Sequence, residues 1–250
     1  MKQEDRDING TAESTHFRSS GSKSISSAAE SYLQLIFELS GEAYGEPRRL
    51  GTKEIAEALN VRAASVTAML QKMAAGDAPL VRYIKHQGVL LTKEGRKAAL
   101  EIIRNHRLLE MFLYKVMEFP WEEVHREALR LQYAVSPEFT RRMAHMLENP
   151  RFDPHGAPIP DERLILPVMS SLRLSQVPVG TTVRIARIPD FNPALLIDLK
   201  KLGIVPGSEY TVSDVSDKGE TILCTGDTAA KTGRIPVNRQ TAEKITIECV

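Results

Sequence analysis

Residues 50–92, LGTKEIAEALNVRAASVTAMLQKMAAGDAPLVRYIKHQGVLLT, constrain the fold more than any other stretch of the chain. Two short helical patterns flank a tight turn, and two strand-like runs follow. The first helix spans Thr52 to about Leu59, with Ile55, Ala56 and Leu59 facing a core and Thr52 placed to cap it. Asn60 falls at the turn, where tolerance of positive φ is useful. The second helix, from Arg62 to about Ala75, sets Val66, Leu70 and Met73 on one stripe. Its other face carries Arg62, Ala64, Ser65, Thr67, Ala68, Gln71 and Lys72. A helix entering the major groove needs small residues where its backbone nears the bases. It also needs hydroxyl or amide groups for base edges and cations for phosphates. Leu80–Ile84 and Val89–Leu91 read as a hairpin whose turn holds Lys85. Together these features predict a winged helix-turn-helix. A plain helical pair beside a hairpin has the same spacing, so the chemistry of the exposed face carries the functional reading.

The net charge of the 250 residues is only +1, but it is unevenly spread. Positions 46–115 hold thirteen Lys and Arg against seven Asp and Glu, a local +6, whereas 116–250 come to −2. Phosphate contact depends on the local patch more than on the total. Two cysteines, Cys224 and Cys249, without CxxC spacing argue against a disulfide framework or a thiolate zinc site. Both lie in strand-like surroundings and are expected to be buried. No apolar run reaches membrane-spanning length and no signal segment opens the chain, so a cytoplasmic protein without membrane contact is expected.

Residues 1–26, rich in Ser, Thr and charge, lack the apolar surface to offset ordering entropy and read as a disordered tail. Residues 28–40 form an amphipathic helix with Tyr32, Leu35, Ile36 and Leu39 on one face. A long helix runs from Lys93 to about Glu118, entered through Thr92, with Ala99, Ile102, His106, Leu109, Glu110 and Leu113 on one stripe. A second helix is expected from Trp121 to Ala134. A third, from Pro137 to Leu147, has Phe139, Met143 and Met146 as its apolar contacts. Long helices directly after a winged unit suggest a dimerisation module, which would hold two recognition helices one DNA turn apart. After a Pro-rich connector, strands at 183–187, 209–215, 221–224 and 244–248, with a helix at 193–202, suggest a small five-stranded barrel.

His106 and Glu110 lie four apart on one side of the long helix, and His125 lies on the next helix, folded back by Phe119-Pro120. Two imidazoles and a carboxylate suit Mn, Fe, Co, Ni or Zn. The same three residues would equally serve as a structural hydrogen-bonded cluster. His16, His86, His145 and His155 have no such partners and read as solvated or local.

The stretches SYLQLIFEL, TKEIAEALNVRAASVTAMLQKM, GVLLTKEGRKAALEIIRNHRLLEMFL, FPWEEVHREALRL and DPHGAPIP resemble the diphtheria toxin repressor and manganese transport regulator family of metal-dependent transcription regulators. The region 172–250, notably VRIARIPD and LKKLGIVPGSEYTV, is similar to the SH3-like (FeoA-like) domain of its longer members. The resemblance implies an α+β multidomain chain. Its parts are a tail (1–26), a winged helix-turn-helix (27–92), a helical dimerisation and metal-binding domain (93–149), a Pro-rich linker (150–171) and an SH3-like β-barrel domain (172–250). It implies that His106, Glu110 and His125 form an ancillary metal site, with Asp190 or Asn192 near its C-terminal complement. It also implies a primary metal site at Ser31, Gln34, Leu129, Gln132 and Tyr133. Leu129 cannot coordinate, and the other four bring neither charge nor imidazole, so that site is expected to be absent or weakened. The implied function is that of a homodimeric, Mn2+- or Fe2+-responsive repressor of metal-uptake genes on palindromic double-stranded DNA, not an enzyme. The alternatives are a metal-independent winged-helix regulator and a metal-dependent hydrolase; nothing supplies the latter with a paired general base.

Overall fold

The computed structural model describes residues 25–45, 47–189, 192–217, 219–224 and 233–250. Most of the expected tail, and Asp190, lie outside them. Helix α1 (Ser27–Ser40) starts where the Ser26 side chain accepts a hydrogen bond from the Ala29 amide, and it stops at Gly41 with φ 82°. Its buried face is Ala29, Tyr32, Leu33, Ile36 and Phe37, whereas Leu39, expected inside, is 38% exposed. Leu33 and Phe37 form a second apolar stripe beside the expected one, and the larger pair takes the core.

Helices α2 (Thr52–Leu59) and α3 (Ala63–Met73) meet at Asn60, whose φ of 52° is the left-handed turn expected of it. Thr52 is the first helical residue rather than the cap. Gly51 takes the cap position, and the Glu54 side chain accepts its amide hydrogen at 3.0 Å. Strands β1 (Val81–Ile84) and β2 (Gly88–Leu91) form the hairpin. Leu50 adds a third short edge through two backbone bonds to Val89. Gly88 permits this, since a Cβ there would meet the Leu50 carbonyl oxygen at 2.5 Å.

Helix α4 (Lys93–Lys115) is capped by Thr92, as expected, and joins two hydrophobic cores. Its first half, through Ala99, Leu100, Ile102 and Ile103, belongs to the winged unit; Leu108, Leu109, Met111 and Leu113 belong to a helical core. A 23-residue helix is a rod of about 35 Å, so the two units share one rigid axis. Helix α5 (Val124–Leu131) is shorter than expected, because Trp121–Glu123 form a turn. In α6 (Pro137–Met146), Met143 is buried, but Phe139 and Met146, expected as contacts, are 47% and 64% exposed.

The third core holds strands β3 (Thr182–Arg187), β4 (Glu209–Val215), β5 (Thr221–Cys224), β6 (Ile235–Val237) and β7 (Thr246–Cys249), with helices α7 (Pro193–Lys201) and α8 (Arg239–Ala242). All pairings are antiparallel in the order β6-β5-β4-β3-β7. Among the described residues β6 and β7 do not pair, so the expected barrel is an open five-stranded sheet. The three-residue β6 was too short to read from the sequence. Cys224 is buried, but Cys249, at the end of β7, is exposed, contrary to expectation. No described helix is long and apolar enough to cross a membrane.

Beside the Lys200–Glu122 ion pair at 3.7 Å, three contacts among the described residues pin this third unit to the rest. Trp121 inserts into its core. Gly156, with φ 84°, lies so close to β3 that a Cβ would overlap the Ala186 carbonyl, and Ile188 donates to the His155 carbonyl at 2.9 Å. Tyr44, beyond α1, receives a hydrogen bond from Arg187 and sits under the Arg173 guanidinium. Gly156→Ala is expected to lower unfolding stability by about 1–3 kcal/mol in urea titration, through steric overlap as well as backbone strain. Gly180→Ala, at φ 91° but in open space, should cost less. Equal losses at the two positions would mean that the Gly156 contact does not matter.

Candidate functional site

Helices α4 and α5 and the turn at 153–156 converge on one carboxylate. Four-residue spacing on α4 stacks His106 over Glu110, and the Val116–Glu123 reversal brings His125 of α5 alongside. Glu110 Oε1 lies 2.9 Å from His106 Nε2 and 2.9 Å from His125 Nδ1, while the two ring nitrogens are 3.1 Å apart. The sequence thus named three residues that the structure brings into a single triangle. Edges near 3 Å are also those between neighbouring ligands around an ion with bonds of about 2.1 Å. Glu110 is fully buried and His106 nearly so, with the His125 side chain 23% exposed.

The structure adds two residues that sequence reasoning missed. His155, expected to be solvated or local, is fully buried, and with Asp153 and Glu110 it forms a second group whose ligand atoms lie within 4.8 Å of one another. The Asp153 side chain accepts the His155 and Ala157 amides at 2.8 and 2.9 Å, which fixes the turn. The His155 ring stacks on Trp121, with centroids 5.3 Å apart, and its Nε2 donates to the Trp121 carbonyl at 3.0 Å. In a neutral ring that bond selects the tautomer in which Nδ1 carries a lone pair. His155 Nδ1, Glu110 Oε2 and His106 Nδ1 are all buried without a hydrogen-bond partner. Buried acceptors of this kind are costly unless a proton, a water or a cation meets them. The one signal available in the sequence was the Asp-Pro-His-Gly string itself.

Burial pushes the Glu110 carboxyl up, but the charge of His106 when protonated, hydrogen bonds from His106 and His125, and the charge of His155 when protonated outweigh it and hold the carboxyl well below its usual range. Arg107, 3% exposed, completes the wall: it donates to the Pro158 carbonyl and to Glu38 of α1, and lies 3.8 Å from Asp153. Asn192, a candidate complement of this centre, instead caps α7 by accepting from the Leu195 amide.

On α3, Arg62, Ala64, Ser65, Ala68, Gln71 and Lys72 are exposed, and Thr67 is half-buried with its hydroxyl donating to the Ala63 carbonyl. Lys85 is exposed at the hairpin turn, beside Arg82 on β1. Arg48 and Arg96 are instead tied to Glu54 and Glu42.

Three family models match in succession. They describe the N-terminal DNA-binding domain of iron-dependent repressors at 24–89, their metal-binding and dimerisation domain at 92–161, and a FeoA domain at 172–249. The iron-dependent repressor IdeR of Mycobacterium tuberculosis is 32% identical over 209 residues, 79% of this chain and 88% of the relative. The chain belongs to the diphtheria toxin repressor family. The diphtheria toxin repressor of Corynebacterium glutamicum is 28% identical over 80% of this chain and 89% of its own. Among solved structures, a manganese-dependent transcriptional repressor in complex with manganese superposes with a TM-score of 0.78. It is 30% identical and covers 89% of this chain and 100% of its own. The repressor ScaR with bound Zn2+ gives 0.73 at 29% identity, over 89% and 99%. The chain is thus built as a DNA-binding repressor with a dimerisation domain, and its relatives depend on iron or manganese.

The lowering of the Glu110 pKa has a definite sign. Its contribution to folding is complete above the ordinary carboxylate value of 4.5 and is lost as pH falls toward the lower folded value. In chelator, unfolding stability is expected to decline below about pH 4.5. Glu110→Gln should remove part of that decline; parallel curves for the two proteins would contradict the assignment.

Proposed function

We propose that this chain is a homodimeric, Mn2+- or Fe2+-responsive repressor of metal-uptake genes, acting in the cytoplasm on a palindromic operator. The observation that carries the reading is one fully buried carboxylate, Glu110, with His106 and His125 on one oxygen and the unpartnered Nδ1 of buried His155 nearby. Those residues, with Asp153, would hold the ion. A divalent cation there would supply positive charge to the Glu110 carboxylate and the neighbouring imidazoles, and would join α4, α5 and the 153–156 turn. The Trp121 carbonyl holds His155 in the ligating tautomer, and the Asp153 turn holds its backbone. The turn also abuts β3, so the centre lies where the helical and C-terminal units meet.

The positions corresponding to a primary site carry Ser31, Gln34, Leu129, Gln132 and Tyr133. Leu129 is 39% exposed, and the four polar residues pair among themselves. Neutral amides and hydroxyls hold a divalent ion poorly, and this set supports loss of that site. Arg62, Ala64, Ser65, Thr67, Ala68, Gln71 and Lys72 would face the major groove, with Lys85 on the flanking phosphates. A ligand shifts DNA affinity only through tighter binding to the competent arrangement, which a centre spanning two packed units is placed to provide.

An apolar groove of about 380 Å³, bounded by Leu109, Phe112, Met117, Val135 and Phe139, lies on the helical unit. Exposed Met117 and Phe139 suit it to the partner protomer.

Operator affinity is expected to fall at least tenfold in chelator or on His125→Ala, and Lys72→Ala and Lys85→Ala should each reduce the salt slope by about one. Equal affinity with and without Mn2+ or Fe2+ would leave the metal-independent regulator, with a merely structural histidine cluster, as the correct reading. Met117→Glu with Phe139→Glu should give a monomer on sedimentation and abolish two-site binding; an unchanged dimer would refute the assigned face.

A further inference from the structure

Two side-chain hydrogen bonds cross from α1, which belongs to the winged core, to the C-terminal end of α5, which belongs to the helical core. Tyr133 and Ser31 are joined OH to Oγ at 2.9 Å, and Gln132 Nε2 donates to Gln34 Oε1 at 3.4 Å. The partners are 102 and 98 residues apart in sequence, so only tertiary structure brings them together. Their directions are consistent. The Ser31 hydroxyl donates to the Ser27 carbonyl at 3.2 Å, which leaves its oxygen to accept from Tyr133. Gln34 and Gln132 are 8% and 2% exposed, so their bond is shielded from competing water. Every donor and acceptor in the set is uncharged.

We infer that this set is a metal-independent latch that closes the α1–α5 junction permanently. The inference deepens the repressor reading and rests on it: regulation by metal is then confined to the Glu110 centre, while the winged unit is already held against the helical unit without an ion. The physical case is one of charge. A junction closed by carboxylates needs a cation to stop them repelling one another, and its closure follows metal concentration. A junction closed by amide and hydroxyl groups needs none, and carries no lone-pair cluster charged enough to recruit one. Two side chains from α1 meet two just past the last turn of α5, with Ser31 also bonded to the Ser27 carbonyl and Gln132 Oε1 buried without a hydrogen-bond partner.

The test replaces neutral by charged groups. Hydrogen–deuterium exchange of residues 27–40, which hold none of the proposed Glu110-centre ligands, is followed in the full chain without DNA, in EDTA and in Mn2+. Wild-type protection in this segment is expected to be the same in both. In the Gln34→Glu/Gln132→Glu protein, two facing carboxylates should lower protection roughly tenfold in EDTA, and Mn2+ should restore it by bridging them. Tyr133→Phe, which removes only one hydroxyl, should lower protection by a smaller factor, about three- to fivefold, with no rescue by Mn2+. Should the double variant fail to fold even in Mn2+, Tyr133→Phe alone decides. Wild-type protection that rises about tenfold on adding Mn2+ would overturn the latch, as would a Tyr133→Phe protein indistinguishable from wild type in EDTA. Because DNA is absent, the result is separate from the repressor reading, which fails if wild type binds no duplex in Mn2+ or Fe2+.

Discussion

A carboxylate with no exposed surface, Glu110, is the constraint on which the arrangement of the three units depends. An ionised group taken out of water must be met by charge or by donors, and here the compensation comes from different parts of the chain. His106 is supplied by the same helix, His125 by the next, and the buried ring of His155 by a turn beyond the helical bundle. That turn also touches the C-terminal sheet through Gly156 and Ile188. The demand of one buried charge is therefore felt at the α4–α5 interface and at the seat of the third unit.

Helix α4 carries that demand toward the DNA-facing surface. Its N-terminal half is part of the core on which α3 rests, and its C-terminal half bears His106 and Glu110. Because one uninterrupted helix serves both cores, rearrangement at the proposed metal centre cannot be absorbed by a flexible joint between them. The remaining freedom lies in how α5, the 153–156 turn and the C-terminal unit sit against this rod. Around α1 the ties are of two kinds: the Arg107–Glu38 ion pair, continuous with the wall of the centre, and the neutral Ser31–Tyr133 and Gln34–Gln132 bonds. The third unit reaches the winged unit as well, through Arg187 and Arg173 on Tyr44. Burial pushes the Tyr44 phenol up, but the two arginines and a hydrogen bond with Thr246 outweigh it and bring the phenol below its usual range.

Much of this was legible in the residues alone. Helical spacing placed Val66, Leu70 and Met73 in the core and the polar face of α3 outside, because a 3.6-residue period leaves little choice at those positions. The same period put His106 over Glu110, and the short Phe119-Pro120 reversal implied that His125 would approach them. Local chemistry announced the Thr92 cap and the Asn60 turn. Where two apolar stripes overlapped, as in α1 and α6, the pattern could not say which one the core would take, and Leu39, Phe139 and Met146 lie at the surface.

By itself the sequence determined most of the elements and the chemistry of their faces, since both follow from side chains a few positions apart. Only the tertiary structure decided that His155 is buried beside Glu110, that Trp121 leaves its expected helix for the core of the C-terminal sheet, and that Gln34 meets Gln132. These contacts join residues separated by dozens of positions with no shared period. What brings them together is the packing of three hydrophobic cores around one long helix, and no local pattern encodes that packing.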